Sequence, residues 1–118
     1  MDLISLQGCD GYDENLLRER LVALLQPLGG IERFVRPGQR VLLKPNLLAG
    51  KPPEAAVTTH PALVKLVTEL VRGAGAEVMV GDSPGIGSFE RVAEKSGIRK
   101  AVESAGGQLI PFGETRSV

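Results

Sequence analysis

The sequence predicts an α/β fold: three layers, with a mostly parallel sheet of about four strands and flanking helices. Three observations point there. Short apolar runs alternate along the chain with longer segments whose apolar residues recur at helical spacing, which is the signature of strand–helix–strand units with right-handed crossovers. The runs are continuously apolar rather than alternating, as suits strands covered on both faces. Finally, the 15 Gly and 8 Pro among 118 residues collect at the joints between those segments.

Leu3 to Leu6 reads as a first strand, closed by Gln7-Gly8-Cys9-Asp10-Gly11. Asp13 is placed to cap a helix bearing Leu17, Leu21, Leu24 and Leu28, and Pro27 with Gly29-Gly30 stops it. Ile31 to Phe34 allow one further turn before the turn signal Arg36-Pro37-Gly38. Val41-Leu42-Leu43 is the second strand and ends at Lys44-Pro45-Asn46. A loop broken by Gly50, Pro52 and Pro53 leads to Thr58 or Thr59 as cap of the next helix, with Pro61 in its first turn. Leu63, Leu66, Val67, Leu70, Val71 and Ala74 form that helix's apolar face. Val78-Met79-Val80 is the third strand, running into Gly81-Asp82-Ser83-Pro84-Gly85-Ile86-Gly87. Ser88 caps a helix to about Lys95, Ile98 to Ala105 form another, and Gln108 to Ile110 the fourth strand.

Composition narrows the function. Fourteen basic and fourteen acidic residues give zero net charge, without the surplus of a protein that tracks a nucleic-acid backbone. One Tyr, three Phe and no Trp leave little for base stacking. A single Cys excludes an internal disulfide or a Cys-rich metal site built from this chain, and a single His excludes a multi-His one. Apolar runs fall far short of a membrane span, and the N-terminus has no basic lead or long apolar stretch. The expectation is one soluble, cytoplasmic α/β domain over residues 1–118, binding neither nucleic acid nor membrane and holding no metal.

In a parallel sheet the loops leaving the strand C-termini share one rim, where ligands bind. Cys9-Asp10-Gly11, Lys44-Pro45-Asn46, Asp82-Ser83-Pro84-Gly85 and Phe112-Gly113-Glu114 converge there, with the helix start Thr58-Thr59-His60-Pro61 at the same edge. The ligand-binding candidates are therefore Lys44, Asn46, Thr58, Thr59, His60, Asp82, Ser83 and Gly85. Lys44 supplies a point charge for a phosphate or carboxylate, and Asn46 an amide. The helix start offers N–H groups and two hydroxyls to an anion, although plain capping needs only one Thr. His60 at such a position works as a neutral donor or acceptor. The Gly-rich stretch after Val80 brings backbone N–H groups toward a phosphate, but it is neither the dinucleotide fingerprint nor a P-loop. Asp82 can bind a metal, a ribose hydroxyl or Lys44. Gly81-Asp82-Ser83-Pro84-Gly85 also matches the letters of a nucleophile elbow. Pro84 and a His that precedes the Ser speak against a serine hydrolase.

Val41-Leu42-Leu43-Lys44-Pro45-Asn46-Leu47-Leu48, Ala56-Val57-Thr58-Thr59-His60-Pro61 and Gly81-Asp82-Ser83-Pro84-Gly85, in that order, resemble the N-terminal part of the domain of unknown function 362 family. The resemblance covers nearly the whole chain, including Tyr12-Asp13, Gly29-Gly30 and Phe34-Val35-Arg36-Pro37-Gly38. Family members are typically longer, and many carry ferredoxin-like cysteine motifs for [4Fe–4S] clusters farther along. The resemblance thus implies that these residues are the N-terminal portion of a longer iron–sulfur redox protein. With Cys9 alone, no cofactor is expected in this chain itself, and the cluster belongs to the full-length parent. Two principal functions follow. One is an anionic small-molecule site at the rim, catalytic or merely binding. The other is a non-catalytic scaffold that docks the remainder of its own chain or a redox partner.

Overall fold

The computed structural model describes residues 2–47, 49–56, 58–82 and 88–111. Helix α1 spans Glu14–Leu25, strand β1 Arg40–Leu43, helix α2 Pro61–Gly73 and strand β2 Glu77–Val80. Helices α3 (Phe89–Lys95) and α4 (Ile98–Ser104) follow, then strand β3 (Gln108–Leu109). Short 3-10 turns occupy Gln26–Leu28, Ile31–Arg33 and Pro53–Ala55. The α/β class and the parallel sheet are as the sequence predicts.

Local chemistry sets most boundaries. Asp13 caps α1, its Oδ2 accepting from Leu16 N at 3.0 Å. Ser88 caps α3 by accepting from Arg91 N at 3.3 Å. Helix α2 buries Val64, Leu66, Thr68 and Val71. After it, Gly75 turns with φ +93°, and a Cβ there would lie 3.0 Å from Pro37 Cα. That contact joins the turn before β1 to the turn before β2, where Gly38 N donates to Gly75 O at 2.9 Å. The two strands therefore start level, pairing Arg40 with Glu77 through to Leu43 with Val80.

The sheet order is β1-β2-β3, all parallel, with Met79 beside Gln108 and Val80 beside Leu109. Each step moves in the same direction, so right-handed crossovers put α2 and the α3–α4 pair on the same face. Val78 and Val80 meet Val64, Val71, Val92, Ile98 and Val102 in the core on that side. Helix α1 is tied to α2 by ion pairs Arg18–Glu69 (2.7 Å) and Lys65–Glu14 (2.9 Å).

Two expectations are corrected. Leu3–Leu6 forms no strand: the segment has no regular secondary structure, and Leu3, Ile4 and Leu6 are 59%, 90% and 89% exposed. A strand forms only against a neighbour's edge, and local apolar composition does not supply one. Three strands are thus described in place of about four. The second correction concerns cover: β1 alternates between exposed and half-buried residues, and Leu42 is 47% exposed. Arg40, Leu42, Glu77 and Gln108 leave the sheet's second face largely open, so among the described residues the helical cover is on one face. The cause is the unreversed strand order, which gives no crossover a reason to change sides.

Candidate functional site

The rim is built where β1 and β2 end. Leu43 and Val80 are register partners, so the residues just beyond them emerge side by side. Lys44 Nζ lies 2.7 Å from Asp82 Oδ1. Asp82 is 5% exposed, whereas the Lys44 side chain is 64% exposed. The carboxylate's other oxygen accepts from Leu47 N at 3.0 Å. One buried acid thus serves two purposes: it fixes the loop leaving β1 and it holds an ammonium that faces outward. Hydrogen bonding and an opposite charge together offset the burial of this carboxylate.

The same loop is tied to the start of α2. Asn46 N donates to Thr59 Oγ1 at 2.9 Å, and Thr59 N donates to Asn46 O at 2.9 Å. Leu47, fully buried, forms an antiparallel bridge with Thr58. Neither threonine caps α2. The cap is His60, whose Nδ1 accepts from Ala62 N at 3.1 Å, because the cap must directly precede Pro61 at the first helical position. An imidazole that accepts at Nδ1 is neutral and carries its proton on Nε2. Its ring stacks on Tyr12 at 3.7 Å and 6°.

Freed from capping, Thr58 has a distinct character. Its Oγ1 is buried and has no hydrogen-bond partner, the one such side-chain atom among the described residues. A buried hydroxyl in that state is the kind of atom that awaits a water or ligand.

Two clefts flank the start of α2. A shallow groove of about 190 Å³ is lined by Lys44, Pro45 and Thr59 above an apolar floor of Leu43, Leu63 and Val67. A wider one of about 330 Å³ includes His60, Lys65, Lys100 and Ser104. The structure brings Lys44, Asn46, Thr58, Thr59 and Asp82 together through bonds within one loop cluster. His60 stands at the cluster's edge and lines the other cleft. Ser83 and Gly85, like Phe112, Gly113 and Glu114, lie outside the described residues. Cys9 is exposed on the N-terminal segment, its Sγ donating to Gly11 O at 3.2 Å.

Sequence reasoning did not find the Leu47–Asp82 bond, the Asn46–Thr59 exchange or the Tyr12 stack. A backbone amide carries no residue-type signal, and Tyr12 is distant from His60 in sequence.

Among the described residues no three His, Cys, Asp or Glu side chains group to hold a metal ion. A [4Fe–4S] cluster takes four thiolates, and this chain has one Cys, so its residues do not fit that group. No described helix is long and apolar enough to cross a membrane.

Comparison with known proteins bears on the same segments. No solved structure matches the chain. A thylakoid-associated protein of Synechocystis sp. is 41% identical over 109 residues, which is 92% of this chain and 34% of that protein. The chain therefore spans about a third of the length of the curated relative it matches. Residues 41–118, which include the Lys44–Asp82 pair and both threonines, match the family described as Domain of unknown function (DUF362). The chain belongs to that family.

Proposed function

We propose that the rim at the ends of β1 and β2 binds a small anionic molecule, within a longer protein of iron–sulfur redox type. The observation that carries this reading is the Lys44–Asp82 pair, joined through Leu47 to the loop that bears the unpartnered Thr58 hydroxyl. Asp82 accepts a hydrogen bond from the Lys44 ammonium and anchors it at the strand end, leaving a largely exposed, oriented cation. Thr58 adds a hydroxyl donor from the loop bridged to Leu47. Asn46, Ser83, Gly85 and the neutral His60 are the remaining candidates for the ligand's surroundings. The iron–sulfur part of the reading draws on family resemblance and on the relative's greater length. Any cluster, and any electron delivered from it, belongs to chain outside these residues. A cytoplasmic location completes the reading, beside a relative that is described as thylakoid-associated.

Isothermal titration with inorganic phosphate, sulfate and acetate tests the site. We expect saturable binding of at least one anion by the wild-type chain and its loss in Lys44→Ala. Equal binding by both proteins, or none by either, would contradict it.

One observation favours a second reading, a docking module for the remainder of the protein or a redox partner. It is the open second face of the sheet around Leu42.

A further inference from the structure

The groove of about 190 Å³ beside Lys44 is polar at one end only. Helix α2 starts at the rim and runs back along the sheet, opposite in direction to β1, as a crossover between parallel strands requires. Lys44 and Thr59 therefore stand at the groove's mouth. Leu43 and Leu63 follow, and Val67 comes one helical turn, about 6 Å, farther along. This apolar floor stays accessible because of where α1 sits. Lys65 and Glu69, which tie α2 to α1, lie roughly half a turn round the helix from Leu63 and Val67, so α1 covers the opposite flank. Leu43, Leu63 and Val67 are each only half-buried.

The mouth fixes the sign and size of the charge that fits. Lys44 Nζ is held 2.7 Å from Asp82 Oδ1 on a side chain 64% exposed, so an ammonium of fixed position stands where the groove opens. Thr59 Oγ1 accepts from Asn46 N at 2.9 Å and keeps its own proton to donate. One ammonium, already shared with Asp82, matches a single negative charge. A dianion would be repelled by that carboxylate without a second cation among the described residues lining the groove. The apolar part is small. A cavity of about 150 Å³ takes a benzene-sized group, so this one suits a short aliphatic or single-ring tail.

We propose that the anion received at Lys44 is a small amphipathic monocarboxylate. Its carboxylate meets Lys44 and Thr59, and its short tail lies over Leu43, Leu63 and Val67. Such a ligand presupposes the anion reading and adds a tail to it. Charge complementarity at the mouth selects an anion over a neutral or cationic apolar molecule, and a floor one helical turn long selects a small molecule over a long acyl chain.

Amide chemical-shift titrations of the 118-residue chain with acetate, butyrate and hexanoate test it, beside inorganic phosphate and hexylamine. We expect affinity to rise roughly two- to fourfold for each methylene added from acetate to hexanoate, as burial of alkyl surface requires, with shifts reaching Leu63 and Val67. Hexylamine, with the same tail and the opposite charge, should give no saturable shifts. Leu63→Gln and the isosteric Val67→Thr should each flatten the rise, with far-ultraviolet circular dichroism unchanged. Hexanoate that binds no tighter than acetate overturns the proposal, while acetate binding lost in Lys44→Ala keeps the anion reading. Absence of binding by every anion removes both. Hexylamine binding as tightly as hexanoate also overturns the proposal, since the groove is then merely apolar. So does phosphate binding tighter than hexanoate, and so does a rise undiminished in both variants, since the tail then lies elsewhere.

Discussion

Lys44 and Asp82 stand one residue beyond Leu43 and two beyond Val80, register partners at the ends of adjacent parallel strands, and their charged atoms lie 2.7 Å apart. The pair is asymmetric, with a buried acid and an exposed base. That asymmetry lets Asp82 act on the fold, through Leu47 N, while Lys44 acts on what approaches from solvent.

Removing the acid is therefore expected to cost more stability than removing the base. Asp82→Ala leaves the amide of fully buried Leu47 without this acceptor, a loss of about 1 to 3 kcal/mol. Lys44→Met removes a largely exposed partner, and solvent screening holds that loss to about 1 kcal/mol or less. Urea denaturation of the two variants checks the order.

His60 is expected to matter as a cap. His60→Ala removes the acceptor for Ala62 N and the stack on Tyr12, lowering stability by about 1 kcal/mol or somewhat more. His60→Asn restores an acceptor at the cap but not the stack, so it should recover part of the loss. Thermal melts of the three proteins decide it.

Gly107 has no room for a side chain. An added Cβ would lie 2.9 Å from Val102 Cγ1 and 3.0 Å from Thr68 Cγ2, both on buried residues. We expect Gly107→Ala to cost about 1 to 3 kcal/mol through overpacking. Gly73→Ala, where an added Cβ meets nothing, serves as the control and should be neutral or slightly stabilising.

The two faces of the sheet should respond differently to polar substitution. Val80 is fully buried against the helices, so Val80→Thr places a hydroxyl in the core and should destabilise by about 1 to 3 kcal/mol. Leu42→Thr, on the open face, should change monomer stability by less than about 0.5 kcal/mol. Chemical denaturation at low protein concentration compares them.

Much of this architecture was legible in the residues. Asp13 and Ser88 cap the helices expected of them, and the apolar runs at Val41, Val78 and Gln108 are strands. Leu3–Leu6 misled because strand pattern is necessary for pairing but does not supply a partner edge. The continuous apolar run of β1 misled about cover, since layer number follows from strand order, which no local window contains. At the rim, residue type pointed to Lys44, Asn46, Thr58, Thr59, His60, Asp82, Ser83 and Gly85, and the structure pairs Lys44 with Asp82 and Asn46 with Thr59. The division of labour did not show. His60 rather than a threonine caps α2, which leaves Thr58 with its hydroxyl unpartnered.

The loop cluster around Lys44 and Thr58 is proposed to receive an anion. Amide chemical-shift mapping during a phosphate or carboxylate titration tests it most directly. We expect saturable shifts at Lys44, Asn46, Leu47, Thr58 and Thr59 that vanish in Lys44→Ala. Shifts confined to other surfaces, or unchanged in Lys44→Ala, would contradict it.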